Sequence, residues 1–172
     1  MNDLEGEAVG DPLVVARMQR TLAKSLLSLG YAERSVELLS KARATFTDGL
    51  GIDHPDTLDC LTTLALGYRS MGKLDLSLPL SVEALRLTKA KRGPDHPDTL
   101  ECMSTLGTLY SSLGDMDLAL PLLQETLTLR QAALGAGDES TIITMNNLAL
   151  TYRLAGKPEA AGMPLTMDIE AA

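Results

Sequence analysis

Two short segments of this sequence pair a histidine with a carboxylate, a combination that could bind a metal ion or transfer protons. His54 lies two residues before Asp56, and His96 lies two residues before Asp98. A proline follows each histidine, and proline fits the first position of an α-helix. An acidic residue in the first turn also complements the positive end of the helix dipole. We therefore interpret both segments as helix starts and not as metal ligands or catalytic groups.

No catalytic motif accompanies these histidines. The sequence contains no nucleophile elbow, no phosphate-binding loop, no paired Cys-x-x-Cys and no His-Glu-x-x-His motif. His54 and His96 also belong to separate segments, so they are not expected to serve one catalytic centre. We predict that the protein is not an enzyme and that it holds no metal ion and no cofactor.

The sequence repeats with a period of 42 residues. The segment from His54 to Leu58 returns unchanged between His96 and Leu100. The same step separates four glycines and four leucines, namely Gly30, Gly72, Gly114 and Gly156, and Leu22, Leu64, Leu106 and Leu148. Such agreement over four units predicts a repeat protein. Cys60 and Cys102 are also one period apart, which places them on neighbouring stacked helices. The axes of such helices lie about 8–10 Å apart, whereas the Cβ atoms of a disulfide lie about 3.5–4.5 Å apart, so we expect two reduced thiols.

Each unit contains two amphipathic helices. Leu61, Leu64, Ala65 and Tyr68 have the spacing that places apolar groups on one helical face. Gly72 then suits the left-handed residue that ends a helix. We predict first helices, called helices A, at 12–29, 55–71, 97–113 and 139–155, and second helices, called helices B, at 32–48, 74–91, 116–133 and 158–170.

A hairpin of this kind cannot bury its own apolar face, so neighbouring hairpins must stack. We predict an all-α solenoid of four helix-turn-helix hairpins with a concave face lined by helices A. The units are 12–53, 54–95, 96–137 and 138–172, preceded by a flexible acidic segment at 1–11. The first unit is interpreted as an N-terminal cap. The last is expected to be incomplete or degenerate, because Pro158, Gly162 and Pro164 interrupt its second helix.

The residues at fixed repeat positions resemble a known family. They are Leu64, Ala65, Tyr68, Gly72 and Ser77 in the second unit, Leu106, Gly107, Tyr110, Gly114 and Ala119 in the third, and Leu148, Ala149, Tyr152, Gly156 and Ala161 in the fourth. The sequence resembles the tetratricopeptide repeat family in its 42-residue form, found in kinesin light chains and bacterial signalling proteins. The resemblance implies a right-handed superhelical solenoid that acts as a scaffold for protein–protein interaction. It does not identify a partner.

Composition narrows the class of partner. The formal net charge of −8 argues against nucleic acid and anionic membranes, which require an excess of lysine and arginine. The N-terminal residues lack the pattern of a signal peptide, and no apolar run approaches the length of a membrane span. We expect a cytoplasmic protein whose partner is another protein or a peptide.

Residues beside the buried stripe of helices A are predicted to face the concave groove and to bind a peptide. They are Arg20, Lys24, Thr62, Thr63, Arg69, Ser104, Thr105, Thr108, Ser111, Asn146, Asn147 and Arg153. The resemblance to kinesin light chains implies that the two asparagines and Arg153 face the peptide-binding groove. Because four of these side chains are basic, we expect an acidic or carboxylate-terminated peptide.

Three alternatives stay open at the level of sequence. The polar residues of helices A could form an ordinary solvated face. The chain could self-associate through its C-terminal repeat. It could also be a regulatory repeat module of a larger signalling protein.

Overall fold

The computed structural model describes residues 10–157 and 159–160, which are helical and contain no strand. Seven α-helices follow one another within these residues: α1 (Pro12–Ser28), α2 (Ala32–Leu50), α3 (Pro55–Ser70), α4 (Leu74–Arg92), α5 (Pro97–Leu113), α6 (Met116–Leu134) and α7 (Glu139–Leu154). Helices α1, α3, α5 and α7 are the predicted helices A, and α2, α4 and α6 are helices B. All seven match the sequence-based bounds within two residues.

Two of the predicted segments are only partly covered by the described residues. The last predicted helix B, at 158–170, lies outside them except for Glu159 and Ala160, and the predicted flexible segment 1–11 lies outside them except for Gly10 and Asp11. The chain divides between Leu87 and Thr88 into two compact units.

Glycine allows the sharp turn from each helix A to the next helix. At the end of α5, Gly114 has φ 83° and ψ 6°, in the left-handed region that side chains with a Cβ rarely adopt. Gly30, Gly72 and Gly156, at the same repeat position, also have positive φ. The 42-residue glycine period therefore reflects a backbone requirement of the turn.

In the first compact unit, which ends at Leu87, α2 packs against both α1 and α3. The core between them is mostly aliphatic and contains one aromatic ring, that of Phe46. Two serines fasten the hairpins: the hydroxyl of Ser35 donates a hydrogen bond to the Ala23 carbonyl at 2.7 Å, and that of Ser77 donates to the Ala65 carbonyl at 2.7 Å. The second helix of each hairpin is thereby held at a small residue of the first.

In the second compact unit, which begins at Thr88, α6 packs against both α5 and α7. Its Leu123 and Leu127 form a buried cluster with Met145 and Leu148 of α7. On the other side, α6 approaches α5 so closely that a Cβ added to Gly107 would lie 2.7 Å from the Leu123 Cγ. Glycine at this position allows the two helix backbones to come into contact.

The close approach at Gly107 predicts the effect of adding a side chain there. Gly107→Leu should lower the free energy of unfolding by about 1–3 kcal/mol, because overpacking outweighs the gain of about 1 kcal/mol from removing a glycine within a helix. Urea denaturation followed by circular dichroism measures the effect. Gly137→Leu is the matched control, since a Cβ at Gly137 would meet no atom within 4 Å. Equal midpoints for the two variants would contradict the packing described for α5 and α6.

Candidate functional site

The two histidines are helix caps. Their Nδ1 atoms accept hydrogen bonds from backbone N–H groups: His54 from Asp56 at 3.2 Å, and His96 from Asp98 at 3.1 Å. At the same position before α7, the carboxylate of Asp138 accepts from the Ser140 N–H at 2.9 Å. Among the described residues, no group of three or more histidine, cysteine and acidic side chains could hold a metal ion. The interpretation of both segments as helix starts is confirmed.

A cap can be tested by exchanging its acceptor. His96→Ala should lower the free energy of unfolding by about 0.5–2 kcal/mol, because the Asp98 N–H loses its partner. His96→Asn should keep most of the stability, since an asparagine side chain caps a helix well. Thermal denaturation of both variants measures the difference. If the two variants lost the same stability, the imidazole ring would act through packing and not through its acceptor atom.

The predicted groove residues Arg20 and Lys24, both on α1, form ion pairs with aspartates of α3. Arg20 pairs with Asp56 and, at 3.4 Å, with Asp59, while the Lys24 Nζ lies 2.7 Å from an Asp59 carboxylate oxygen. The Arg20 guanidinium also lies over the Phe46 ring, 5.6 Å from its centroid, in a cation–π contact. These two cations therefore join α1 to its neighbours, and their charge is largely neutralised.

The ion pair changes the titration of Asp56. Burial acts to raise the pKa of this carboxyl, but the hydrogen bond and the charge of Arg20 outweigh it, so the pKa lies below its ordinary value of 3.8. A carboxyl whose pKa is lowered by folding adds stability above its unfolded pKa. That stability is lost as the pH falls through the folded value.

We therefore expect the wild type to be more stable than Asp56→Asn at pH 7 by about 1–2 kcal/mol. The difference should shrink as the pH falls below about 4, where the carboxyl becomes protonated. Urea midpoints between pH 2 and pH 7 measure it. Asp95→Asn, at an exposed position, serves as the control. A difference between wild type and Asp56→Asn that is constant over this range would exclude the ion pair as its cause.

Four of the predicted groove residues are buried, contrary to the expected exposure. Thr63, Ser104, Thr105 and Ser111 expose 6%, 5%, 6% and 8% of their surface. Small hydroxyl side chains can be buried in helices because a backbone carbonyl one turn earlier satisfies them, as the Asp59 carbonyl does for Thr63 at 2.8 Å. Thr62, Arg69 and Thr108 are half-buried. The predicted groove residues of α3 and α5 therefore offer little surface to a ligand.

Helix α7 is different, because one of its faces is exposed and chemically mixed. Ile143 and Leu150 expose 48% and 51% of their surface, and Asn146 and Arg153 are also exposed. These four residues, at i, i+3, i+7 and i+10, form what we call the α7 face. Asn147 lies beside it and is half-buried. Sequence reasoning selected Asn146, Asn147 and Arg153 but missed the two apolar residues, although their helical spacing was readable.

A buried arginine, also missed in the sequence, holds α7 in place. Arg130 of α6 donates to the Ser140 carbonyl and to the Thr144 hydroxyl, both at 2.8 Å, and its side chain is only 4% exposed. Its second amino group lies 2.7 Å from a carboxylate oxygen of Glu101 on α5. Arg130 thus connects three helices and balances the charge of Glu101. The α7 face is presented by a helix that this network positions.

Both cysteines are buried free thiols, as the sequence predicts. Burial raises the pKa of Cys60 to about 12, so its reactive thiolate form is suppressed. The Cys102 thiol lies 3.8 Å from the Thr88 hydroxyl. Their surroundings are those of core residues and not of a redox or nucleophilic site.

Repeated helical hairpins, glycine turns and capped first helices define a helical repeat protein. The family model for the tetratricopeptide repeat matches residues 62–132 and 105–163 of this chain. The chain therefore belongs to the tetratricopeptide repeat family. Members of this family are generally non-catalytic scaffolds for protein interaction. No curated protein sequence matches the chain.

Solved structures with the same fold include tetratricopeptide-like repeats of a kinesin light chain from Podosopora anserina, with 24% identity and a TM-score of 0.80, covering 91% of this chain and 74% of that one. BtubC (BKLC) from P. vanneervenii has 20% identity and a TM-score of 0.80, with coverage of 94% and 64%. A Rap protein in complex with competence and sporulation factor has 15% identity and a TM-score of 0.80, with coverage of 94% and 44%. The predicted all-α fold of stacked hairpins is confirmed.

The described residues also contain no helix with both the length and the hydropathy of a membrane span.

Proposed function

We propose that this chain is a protein-interaction scaffold that binds an extended peptide on the α7 face. The observation that carries the proposal is the contrast between α7 and α5. One repeat before Asn146 and Arg153, α5 has Ser104 and Ser111, which are buried. One repeat before Ile143 it has Glu101, which is paired with Arg130. Within the second compact unit, α7 therefore presents a broader set of exposed binding groups than α5 does.

The chemistry of the α7 face suits an extended peptide. The Asn146 side-chain amide can donate to a peptide carbonyl and accept from a peptide N–H, so it can satisfy the backbone of an extended ligand. Ile143 and Leu150 flank it and can cover an apolar side chain of that ligand. Together these residues combine a few polar groups with apolar surface, as is typical of peptide-binding sites.

The charge of the face favours an acidic ligand. No carboxylate among the described residues forms an ion pair with Arg153, whereas Arg20 and Lys24 are already paired with Asp56 and Asp59. Arg153 therefore provides the cation that a ligand carboxylate would meet on this face. We propose a peptide with an apolar side chain followed or preceded by an acidic group or a C-terminal carboxylate. The peptide-bound Rap protein shares only the fold at 15% identity, so it supports the proposal as an analogy alone.

A peptide selection tests this proposal. A display library of random peptides is selected on the full chain, and a selected peptide carrying a fluorophore is titrated by fluorescence anisotropy. We expect the selected peptides to be acidic. Arg153→Ala and Asn146→Ala should each weaken binding by about 1–3 kcal/mol, because each removes a hydrogen bond and the first also removes a charge. Added salt should weaken wild-type binding more than that of Arg153→Ala.

Arg86→Ala is the matched control, since Arg86 is an exposed arginine on α4, which is a helix B. It should leave the affinity unchanged. Selection of basic peptides, or full affinity in both α7 variants, would contradict the proposal and indicate another surface as the binding site.

A further inference from the structure

The α7 face continues toward the start of the helix to an acidic residue. Glu139 lies one turn before Ile143 and is exposed, and no cation among the described residues forms an ion pair with it. The exposed residues then follow one another in steps of four and three, as Glu139, Ile143, Asn146, Leu150 and Arg153. Alternating steps of this kind keep side chains in one line where a helix packs against another helix. We call these five residues the α7 stripe.

The stripe is specific to α7. At the position of Ile143, α3 and α5 have the acidic residues Asp59 and Glu101, which form ion pairs. At the position of Glu139 both of these helices have proline. Beyond the stripe, Leu154 adds an apolar side chain that is 59% exposed. Helix α7 thus combines exposed apolar surface with an acid and a base that lack partners, as is typical of a surface that contacts another protein.

The stripe is complementary to itself. Glu139 lies seven residues before Asn146 and Arg153 lies seven residues after it, which places each about 10.5 Å from the centre along the helix axis. Ile143 and Leu150 lie three residues before and four residues after the same centre. In an antiparallel pair of α7 helices with a two-fold axis at Asn146, Glu139 lies opposite Arg153 of the partner subunit. Ile143 then lies opposite Leu150 of the partner subunit, so acid meets base at both ends and apolar groups meet between them.

The residue on the axis also suits this arrangement. A side-chain amide both donates and accepts hydrogen bonds, so two Asn146 side chains can bond to each other across a two-fold axis. We propose that two copies of this chain pair through their α7 stripes in an antiparallel, symmetric dimer. One helix from each copy forms the contact, which is a small surface, so the association should be weak.

Pairing of the stripes would regulate peptide binding. Glu139 of the partner subunit would lie beside Arg153, where the carboxylate of a bound peptide is proposed to lie. The dimer and the peptide should therefore exclude each other. This exclusion rests on the proposed function, whereas the pairing of the two copies does not depend on it.

Sedimentation velocity of the chain without peptide tests the pairing, from about 10 μM to about 1 mM, a range that detects weak association. The wild-type mass should rise from the 18.3 kDa of one chain toward that of two chains and no further, because a symmetric contact is closed. Leu150→Asp should stay a single chain. Leu118→Asp, at a leucine of α6 that is 47% exposed, should associate as the wild type does.

Charge exchange tests the antiparallel order. Glu139→Arg and Arg153→Glu each place like charges opposite each other at both ends of the pair, so each should weaken self-association by about tenfold or more. In an equimolar mixture of the two variants every opposed pair is again attractive, so the mixture should form the two-chain species. Glu125→Arg makes the same charge change at an exposed position of α6 and should associate as the wild type does. Circular dichroism checks that all variants keep their helical content.

A peptide selected on the full chain tests the exclusion. At saturation it should return the wild type to the mass of one chain with its peptide. A two-chain species that persists with the peptide bound would contradict the exclusion.

Three results would overturn the pairing itself. The wild type could stay a single chain over the whole range, or its mass could grow beyond two chains. Both charge variants could associate as the wild type does. The mixture could also fail to pair although the wild type associates. Because these runs contain no peptide, a failure of the peptide selection would contradict the proposed function alone.

Discussion

The structure depends on one contact, repeated every 42 residues, between a helix B and the helix A that follows it. A single hairpin leaves an apolar face in water, and this contact covers that face. The residue pairs at the contact differ in chemistry: an aromatic ring with a thiol at Phe46 and Cys60, two small polar groups at Thr88 and Cys102, and a guanidinium with a hydroxyl at Arg130 and Thr144. The backbone geometry repeats, while the side chains that stabilise it do not.

This variation affects which contacts are interchangeable. Phe46 is buried among mostly apolar residues, with the Arg20 guanidinium over its ring, so its contact with α3 rests mainly on the hydrophobic effect. Arg130 is buried with a charge, and such a charge requires its own hydrogen-bond acceptors. Ser140, Thr144 and Glu101 supply them. At the position of Thr144 the two earlier repeats have Cys60 and Cys102, so the hydroxyl acceptor that Arg130 uses there is specific to the last of these contacts.

The sequence predicted the features that depend on local chemistry. Helix bounds, the glycine turns and the capped starts of α3 and α5 follow from residue types within a few positions of one another. The exposure of polar residues on helices A could not be predicted in this way. Whether Ser104 or Asn146 lies at the surface depends on which neighbouring helix covers it. A serine can be buried once its hydroxyl finds a carbonyl, so its type does not reveal its position.

The same limit explains the basic residues. Arg20, Lys24 and Arg153 look alike in sequence, and the repeat pattern places all three on helices A. Two of them have carboxylates within ion-pair distance, because Asp56 and Asp59 lie on the adjacent helix at matching positions. One repeat later the corresponding acid, Glu101, is drawn to Arg130 instead. The charge that a partner would encounter is thus set by the ion pairs between neighbouring helices and not by the number of basic residues on helices A.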